Sequence, residues 1–352
     1  MCRIGASPGV RRIDRHFLKA SIPTLRVRGT NRADSGDVLH KHAVVRPCAE
    51  SFDFDADQGV HKEGGASFYM GNLQDILVGT DLSERSERAI ARAAQLSRAN
   101  HATLTVLYVA EAGLSVPVRD RRRVLAEESL RDWYAFLPES DRGAASLRVE
   151  TGEPFAVLLA QARERDTDLI VLGQPGKKGL KELFVGTTTD RVVRHAGRPV
   201  LVVKQPAKEP YRRVLVATDF SEGAARAMRS ALRVAPVADL LLVHAWLLPP
   251  VGFASTKAAE EETARENELL AQRLSRQVQD TMIELGSQPS APRIQMAMGN
   301  PFFVLRDAIA SFKPDLLAMG THARSGIAIA MVGSLAREML VEAPCDVLVA
   351  RA

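Results

Sequence analysis

Residues 76–92 read ILVGTDLSERSERAIAR and residues 214–230 read VLVATDFSEGAARAMRS, each position of the second stretch lying 138 residues after its partner. In both, an apolar run ends in a Thr-Asp pair, then Ser-Glu, then an alanine-rich amphipathic stretch. Three further matches follow in the same order. Val149-Glu-Thr-Gly-Glu-Pro154 pairs with Met296-Ala-Met-Gly-Asn-Pro301, Asp168-Leu-Ile-Val-Leu-Gly173 with Asp315-Leu-Leu-Ala-Met-Gly320, and Val200-Leu-Val-Val203 with Val347-Leu-Val-Ala350, all at a spacing of 147. The extra nine positions fall within the second copy, where residues 260–285 read as a longer helix. Ordered matches at constant spacing make the chain a tandem duplication.

Each copy alternates short apolar runs with helical patterns, the signature of a parallel sheet covered on both faces. Strands are expected near residues 75–79, 103–109, 146–151, 169–173 and 200–203, and again near 213–217, 240–245, 293–297, 316–320 and 347–350. Ser83 and Ser221 stand where N-caps belong. The expected fold class is α/β: two doubly wound, Rossmann-like units, each a five-stranded parallel sheet with helices on both faces. The expected domains are 72–204 and 211–352, joined by the polar linker QPAKEP at 205–210, whose prolines oppose helix continuation. Residues 1–71 match neither copy, show no sustained periodicity and read as a disordered extension. Met70, just before the first strand, is an alternative start that N-terminal mass spectrometry of the native protein would test.

The formal charge of +5 is dispersed: residues 1–71 hold 11 Lys/Arg against 8 Asp/Glu, and the remainder 36 against 34. A nucleic-acid binder concentrates basic charge on one face, so no nucleic-acid partner is expected. No run approaches the roughly 18 apolar residues of a membrane span, and the three cysteines, Cys2, Cys48 and Cys345, form neither a disulfide framework nor a metal pattern. A reducing, cytoplasmic setting is the expectation.

In doubly wound sheets ligands lie beyond the carboxyl ends of the strands, at the topological switch point. There the first copy carries Gly173-Gln-Pro-Gly176, nine residues, then Gly186-Thr187-Thr188 at a helix start. Glycines at 173 and 176 permit positive φ and close backbone approach to a ligand. The helix N-terminus attracts anions, and Lys177 and Lys178 add charge. Thr187 and Thr188 could donate to phosphate or cap the helix. Asp81 and Asp219, after the first strand of each copy, could accept hydrogen bonds from a ribose or adenine, or cap the following helix in competition with Ser83 and Ser221. The second copy reads Gly320-Thr-His-Ala323, nine residues, then Gly333-Ser334-Leu335. Ala323 in place of glycine predicts weaker binding there, with Arg324 as a compensating cation. Neither the G-x-G-x-x-G fingerprint nor a G-x-x-x-x-G-K-[ST] P-loop occurs. His101, His195, His244 and His322 form no recognisable nucleophile or metal arrangement, so no catalytic site is expected. A phosphoacceptor reading of Asp81 fails because Gly152-Glu153-Pro154 follows the third strand, where an acceptor aspartate would stand.

The pattern G-x2-G-x9-G-[ST], with D-L-I-V-x-G before it and T-D-x-S-E after the first strand, resembles the universal stress protein family, in its tandem two-unit type. The resemblance covers residues 72–352. It implies an ATP-binding α/β fold, with or without Mg2+, in which the fused units imitate the dimer of single-unit relatives, and from which a homodimer of the tandem chain could be built. It implies a nucleotide site of Gly79, Thr80, Asp81, Val109, Leu172, Gly173, Gly176, Gly186, Thr187 and Thr188. The matching second, weaker site is Ala217, Thr218, Asp219, Ala245, Gly320, Gly333, Ser334 and Leu335. The chain departs from the family pattern at Gln174-Pro175 and at Ala323. The function implied is a stress-response sensor or regulator that binds ATP or another adenine nucleotide, with slow ATP hydrolysis the most chemistry it allows. The alternative is an interaction protein of the same fold without nucleotide.

Overall fold

Apolar runs such as Leu169–Gly173 and Val200–Val203 have no polar alternate, so their strands are stable only with both faces covered. The computed structural model describes residues 42–45, 73–113, 115–136, 139, 145–175, 186–246, 257–285, 292–321 and 333–351. The first unit comprises β2 (Asp75–Thr80), α1 (Glu84–Asn100), β3 (Thr103–Glu111), α2 (Val116–Phe136), β4 (Ala145–Gly152), α3 (Pro154–Glu164), β5 (Leu169–Gly173), α4 (Thr188–His195) and β6 (Val200–Val203). The second repeats it as β7 (Arg213–Ala217), α5 (Glu222–Val234), β8 (Asp239–Trp246), α6 (Lys257–Glu284), β9 (Arg293–Met298), α7 (Pro301–Phe312), β10 (Leu316–Gly320), α8 (Ser334–Glu342) and β11 (Asp346–Ala350). The extra residues of the second copy lengthen its second helix: α6 has 28 residues where α2 has 21.

Within each unit the five strands are parallel, ordered β4-β3-β2-β5-β6 and β9-β8-β7-β10-β11. The chain runs outward from β2 to β4 and returns to β5 on the other side of β2, so the switch point lies between β2 and β5. The units meet edge to edge. Strands β6 and β11 pair antiparallel, with Leu201 opposite Leu348, and merge the two sheets into one. The sheet's faces bury separate clusters, one with Ile76, Val78, Val171, Val216 and Leu348, the other with Leu77, Ile170, Leu172, Leu215 and Val349. Each cluster draws on both units, so the apolar burial that stabilises them, about 1.5–3 kcal/mol per large side chain, is shared across the seam.

Helix α1 shows why the repeated stretch folds as it does. Ser83 Oγ accepts the Ser86 N–H, Glu84 and Glu87 complement the dipole of the first turn, and His101 ends the helix at φ 55°. Ala89, Ile90, Ala93, Leu96 and Ser97 are buried at helical spacing. Ser221 caps α5 by accepting the Ala224 N–H at 3.2 Å.

One departure lies at the N-terminus. His42–Val45 forms a strand, β1, antiparallel to β9 at the outer edge of the second unit. The expectation of disorder for residues 1–71 does not hold for these four, because an unpaired sheet edge offers hydrogen bonds that a short β-branched run can take. Met70 lies outside the described residues.

Candidate functional site

Strand β2 passes into α1 through a turn built from its own side chains. Thr80 Oγ1 accepts the Leu82 N–H at 3.0 Å and donates to Ser86 Oγ at 2.9 Å; Ser86 Oγ donates to Ser83 O at 2.8 Å. Asp81 Oδ1 accepts both the Ser83 N–H at 3.0 Å and the Ser83 hydroxyl at 2.6 Å. Leu82 is thereby held at φ 62°, a left-handed conformation costing a residue with a Cβ about 1–2 kcal/mol. The second unit repeats the turn: Thr218 Oγ1 accepts the Phe220 N–H, Asp219 Oδ1 accepts the Ser221 N–H, and Phe220 stands at φ 63°. Neither aspartate caps its helix: Ser83 and Ser221 do, and each carboxylate instead holds the turn before the cap. Partial burial alone would raise the Asp81 pKa, but hydrogen bonds from the Ser83 hydroxyl and N–H, with the Ser86 hydroxyl nearby, outweigh it and hold the carboxyl below its ordinary value.

Beside this turn, Gly79 and Leu172 are register partners on β2 and β5. A Cβ on Gly79 would stand 2.8 Å from Leu172 Cδ2 and 3.0 Å from Leu158 Cδ2. Leu172 is buried, and Val109 packs half-buried against the same cluster. In the second unit Ala217 and Ala245 pack against that cluster too.

Gly173 is required for a reason other than the expected one. Its φ is not positive; instead, a Cβ there would meet the carbonyl oxygen of Arg85 at 2.8 Å. Gly320 is under the same constraint, 2.9 Å from the Ala224 nitrogen. These glycines let the first helix of each unit close onto the end of the fourth strand.

The second arm of the site is the start of α4. Gly186 stands at φ 82°, a Cβ there would meet nothing within 4 Å among the described residues, and Thr187 caps the helix by accepting the Asp190 N–H at 3.1 Å. Of the two roles weighed for Thr187, capping is the one the geometry holds. Thr188 is half-buried in the first turn, where amides have no helical partner. Two residues absent from the sequence reading complete the arrangement. Thr189 Oγ1 donates to Gly173 O at 3.4 Å, tying the helix to the strand end. Asp190, buried at 2% exposure, accepts the Gly186 N–H at 2.9 Å and pairs with Arg194 at 2.8 Å. The T-x-x-D spacing of Thr187 and Asp190 is a capping-box signature and could have revealed it.

The second unit differs here. Gly333 itself caps α8 at φ −55°, without a side-chain bond, and its N–H donates to Thr321 O at 2.7 Å. Ser334 is exposed and Leu335 packs on the core. Ala336 and Arg337 occupy the positions of Thr189 and Asp190.

The structure thus gathers Gly79, Thr80, Asp81, Gly173, Gly186, Thr187 and Thr188 on the ends of two adjacent strands and one helix. An apolar floor beside a helix N-terminus fits a base and an anion; the Gly186 N–H is taken by the buried Asp190 carboxylate, whose charge Arg194 offsets. Gly176, Lys177, Lys178, His322, Ala323 and Arg324 lie outside the described residues. Of the histidines, His101 caps α1, His195 Nδ1 lies 2.8 Å from Arg191 O, and His244 Nδ1 lies 2.8 Å from Thr218 O with its ring edge-on to Phe220. Among the described residues no group of three His, Cys, Asp or Glu could hold a metal, and no helix is long and apolar enough to cross a membrane.

Comparison with known proteins gives these features a family. The family model described as "Universal stress protein family" matches twice, at residues 72–204 and 210–351. A universal stress protein of Mycolicibacterium smegmatis is 26% identical over 296 residues, covering 78% of this chain and 96% of its own length. One of Methanocaldococcus jannaschii is 28% identical over 142 residues, 38% of this chain and 84% of its own. The crystal structure of a universal stress protein from Archaeoglobus fulgidus superposes with a TM-score of 0.57 at 18% identity, over 79% of this chain and 98% of that one, a likeness of fold. With two matches that together span most of its length, the chain belongs to the universal stress protein family.

Proposed function

We propose that the protein is a nucleotide-responsive stress protein whose first unit, residues 72–204, binds ATP or another adenine nucleotide. It acts as a sensor or regulator and not as a dedicated catalyst. The observation that carries this reading is the convergence at the β2–β5 switch point. There the Thr80–Asp81 turn and the Gly173 strand end follow neighbouring strands, and Thr189 ties the start of α4 to Gly173. The adenine and ribose would lie over Gly79, Val109 and Leu172, near Asp81, and the phosphates along Gly173, Gly176, Gly186, Thr187 and Thr188. Residues 211–352 form the second unit of an intramolecular pseudo-dimer. Its site binds more weakly, because Ala323 replaces a glycine. A nucleotide regulates only if it binds one conformational or associated state better than another, and the cytoplasm is where such a protein would meet ATP.

One observation favours the alternative, a nucleotide-free interaction protein: Asp190 already occupies the Gly186 N–H. Calorimetric titration of the full chain with ATP, ADP and AMP separates the two. The expected result is one nucleotide per chain, with binding lost in Gly176→Ala and Asp81→Ala. No heat of binding at millimolar ATP establishes the alternative.

A further inference from the structure

Lys204 and Arg351 stand at the same place in the two units, 147 positions apart, each directly after the last strand. Both reach across the β6–β11 seam to the helix of the opposite unit. Lys204 Nζ donates to Ala343 O at 2.7 Å and Met339 O at 3.3 Å, at the carboxyl end of α8. Arg351 Nη1 donates to Arg194 O at 2.8 Å, in the last turn of α4. The carboxyl end of a helix leaves carbonyls without partners and carries the negative end of its dipole, so a cation there is favourable.

The same strand ends also anchor the glycine turns of their own unit. Val203 O, one residue before Lys204, accepts the Gln174 N–H at 3.0 Å. Ala350 O, one residue before Arg351, accepts the Thr321 N–H at 2.9 Å, and Thr321 O accepts the Gly333 N–H at 2.7 Å. Each cation therefore grips the far end of the opposite unit's helix while its neighbour holds the turn of its own unit. In the first unit the helix is connected end to end: Gly186 to Asp190, Asp190 to Arg194, and Arg194 O to Arg351. A continuous line of bonds joins the start of α4 to the Thr321–Gly333 turn. Lys204 forms the reciprocal line from α8 to the Gln174 turn.

We propose that Lys204 and Arg351 are positioning residues that couple the two anion-facing helices, so that occupancy of the first site changes the order of the second unit's turn. The proposal rests on the nucleotide reading above. Contiguous contacts do not amount to coupling; a coupling free energy does, and it is reciprocal. Arg351 gives the cleaner test, because it belongs to neither set of site residues and is only half-buried.

The experiment combines ATP titration of the full chain with hydrogen exchange of peptides covering 186–195 and 333–342. In the wild type, ATP is expected to slow exchange in both peptides. In Arg351→Ala, protection of 333–342 disappears and affinity falls at least about fivefold, while Arg351→Lys retains both. Thermal unfolding of each variant in the absence of ATP separates a local effect from a loss of fold. If Arg351→Ala were unfolded, Lys204→Met would supply the test, with loss of the ATP-induced protection in 333–342 expected. Wild-type binding with unchanged affinity and unchanged protection in Arg351→Ala overturns the coupling and leaves the nucleotide reading intact. Absence of ATP binding by the wild type overturns both.

Discussion

A methyl group on residue 173 would stand 2.8 Å from a backbone oxygen of α1, and one on residue 79 would stand 2.8 Å from the tip of a leucine. The two glycines share a motif but not a tolerance. A backbone carbonyl at a helix start cannot yield without moving the helix, whereas Leu172 and Leu158 can change rotamer, and the second unit already carries Ala217 at the equivalent position. Gly173→Ala is expected to cost about 1–3 kcal/mol of stability, the usual range for overpacking, and Gly79→Ala less than about 1.5 kcal/mol. Urea unfolding of the two variants measures the difference; equal costs would show that the α1 contact is not restrictive. Glycine spacing at a strand end picked out Gly173, and the family resemblance picked out Gly79. Neither could say what a Cβ would meet. Gly173 read as a ligand-facing glycine, yet its nearest constraint is the chain itself. Asp190 was signalled only by its capping-box spacing from Thr187; its burial and its bonds to Gly186 and Arg194 appear only in the fold.

At the scale of elements, inner strands such as β5 and β6 were legible as short apolar runs, the partly exposed β4 and β9 through their place in the repeat, and the observed ends differ from the expected ones by at most two residues. The helices of the duplicated stretch were legible through their caps. What remained illegible was pairing over long separations. Four residues, His42–Val45, carry too little pattern to announce a strand, and their partner β9 lies some 250 residues away. The differing starts of α4 and α8 were equally invisible, since both read as Gly followed by a hydroxyl residue. In the structure Thr187 caps α4 with its side chain, whereas Gly333 caps α8 with backbone alone. Thr187→Ala is thus expected to destabilise the protein by about 1 kcal/mol, and Ser334→Ala, on an exposed residue, by less than about 0.5 kcal/mol. Hydrogen exchange of the two helix starts checks the contrast. Equal fraying in both variants would mean that the Thr187 cap contributes nothing to α4.

Across the whole molecule, the seam is where the duplication stops being symmetric. Asp346, fully buried, accepts the Lys204 and Gln205 N–H groups at 2.8 and 2.9 Å and the Tyr211 hydroxyl at 2.6 Å, with the Arg92 guanidinium 3.5 Å away. The linker is bound down by a carboxylate from the far end of the chain, and Lys204 lies buried against that cluster. Burial pushes the Lys204 pKa down to about 8 from an ordinary 10.5, although Cys345 and Asp346 act in the opposite sense. Between these values the unfolded chain holds more of this proton than the folded one, so stability rises with pH across that window. Its full contribution is present above 10.5 and is lost as pH falls through 8. Cys345 opposes it: burial pushes its thiol up to about 12 from 9.0, and stability from that group is lost as pH rises above 9. Tyr211, raised by burial above its ordinary 10.0, adds to the loss beyond that point. From pH 8 to 9 the lysine dominates, because the thiol of the unfolded chain is only beginning to ionise. Urea unfolding is expected to show a gain of about 1 kcal/mol over that unit, and Lys204→Met, which carries no proton to lose, should flatten it. A wild-type profile that is level or falling from pH 8 to 9 would show that the Lys204 pKa is not lowered, and that Asp346 and the α8 carbonyls fully offset the cost of burying its charge.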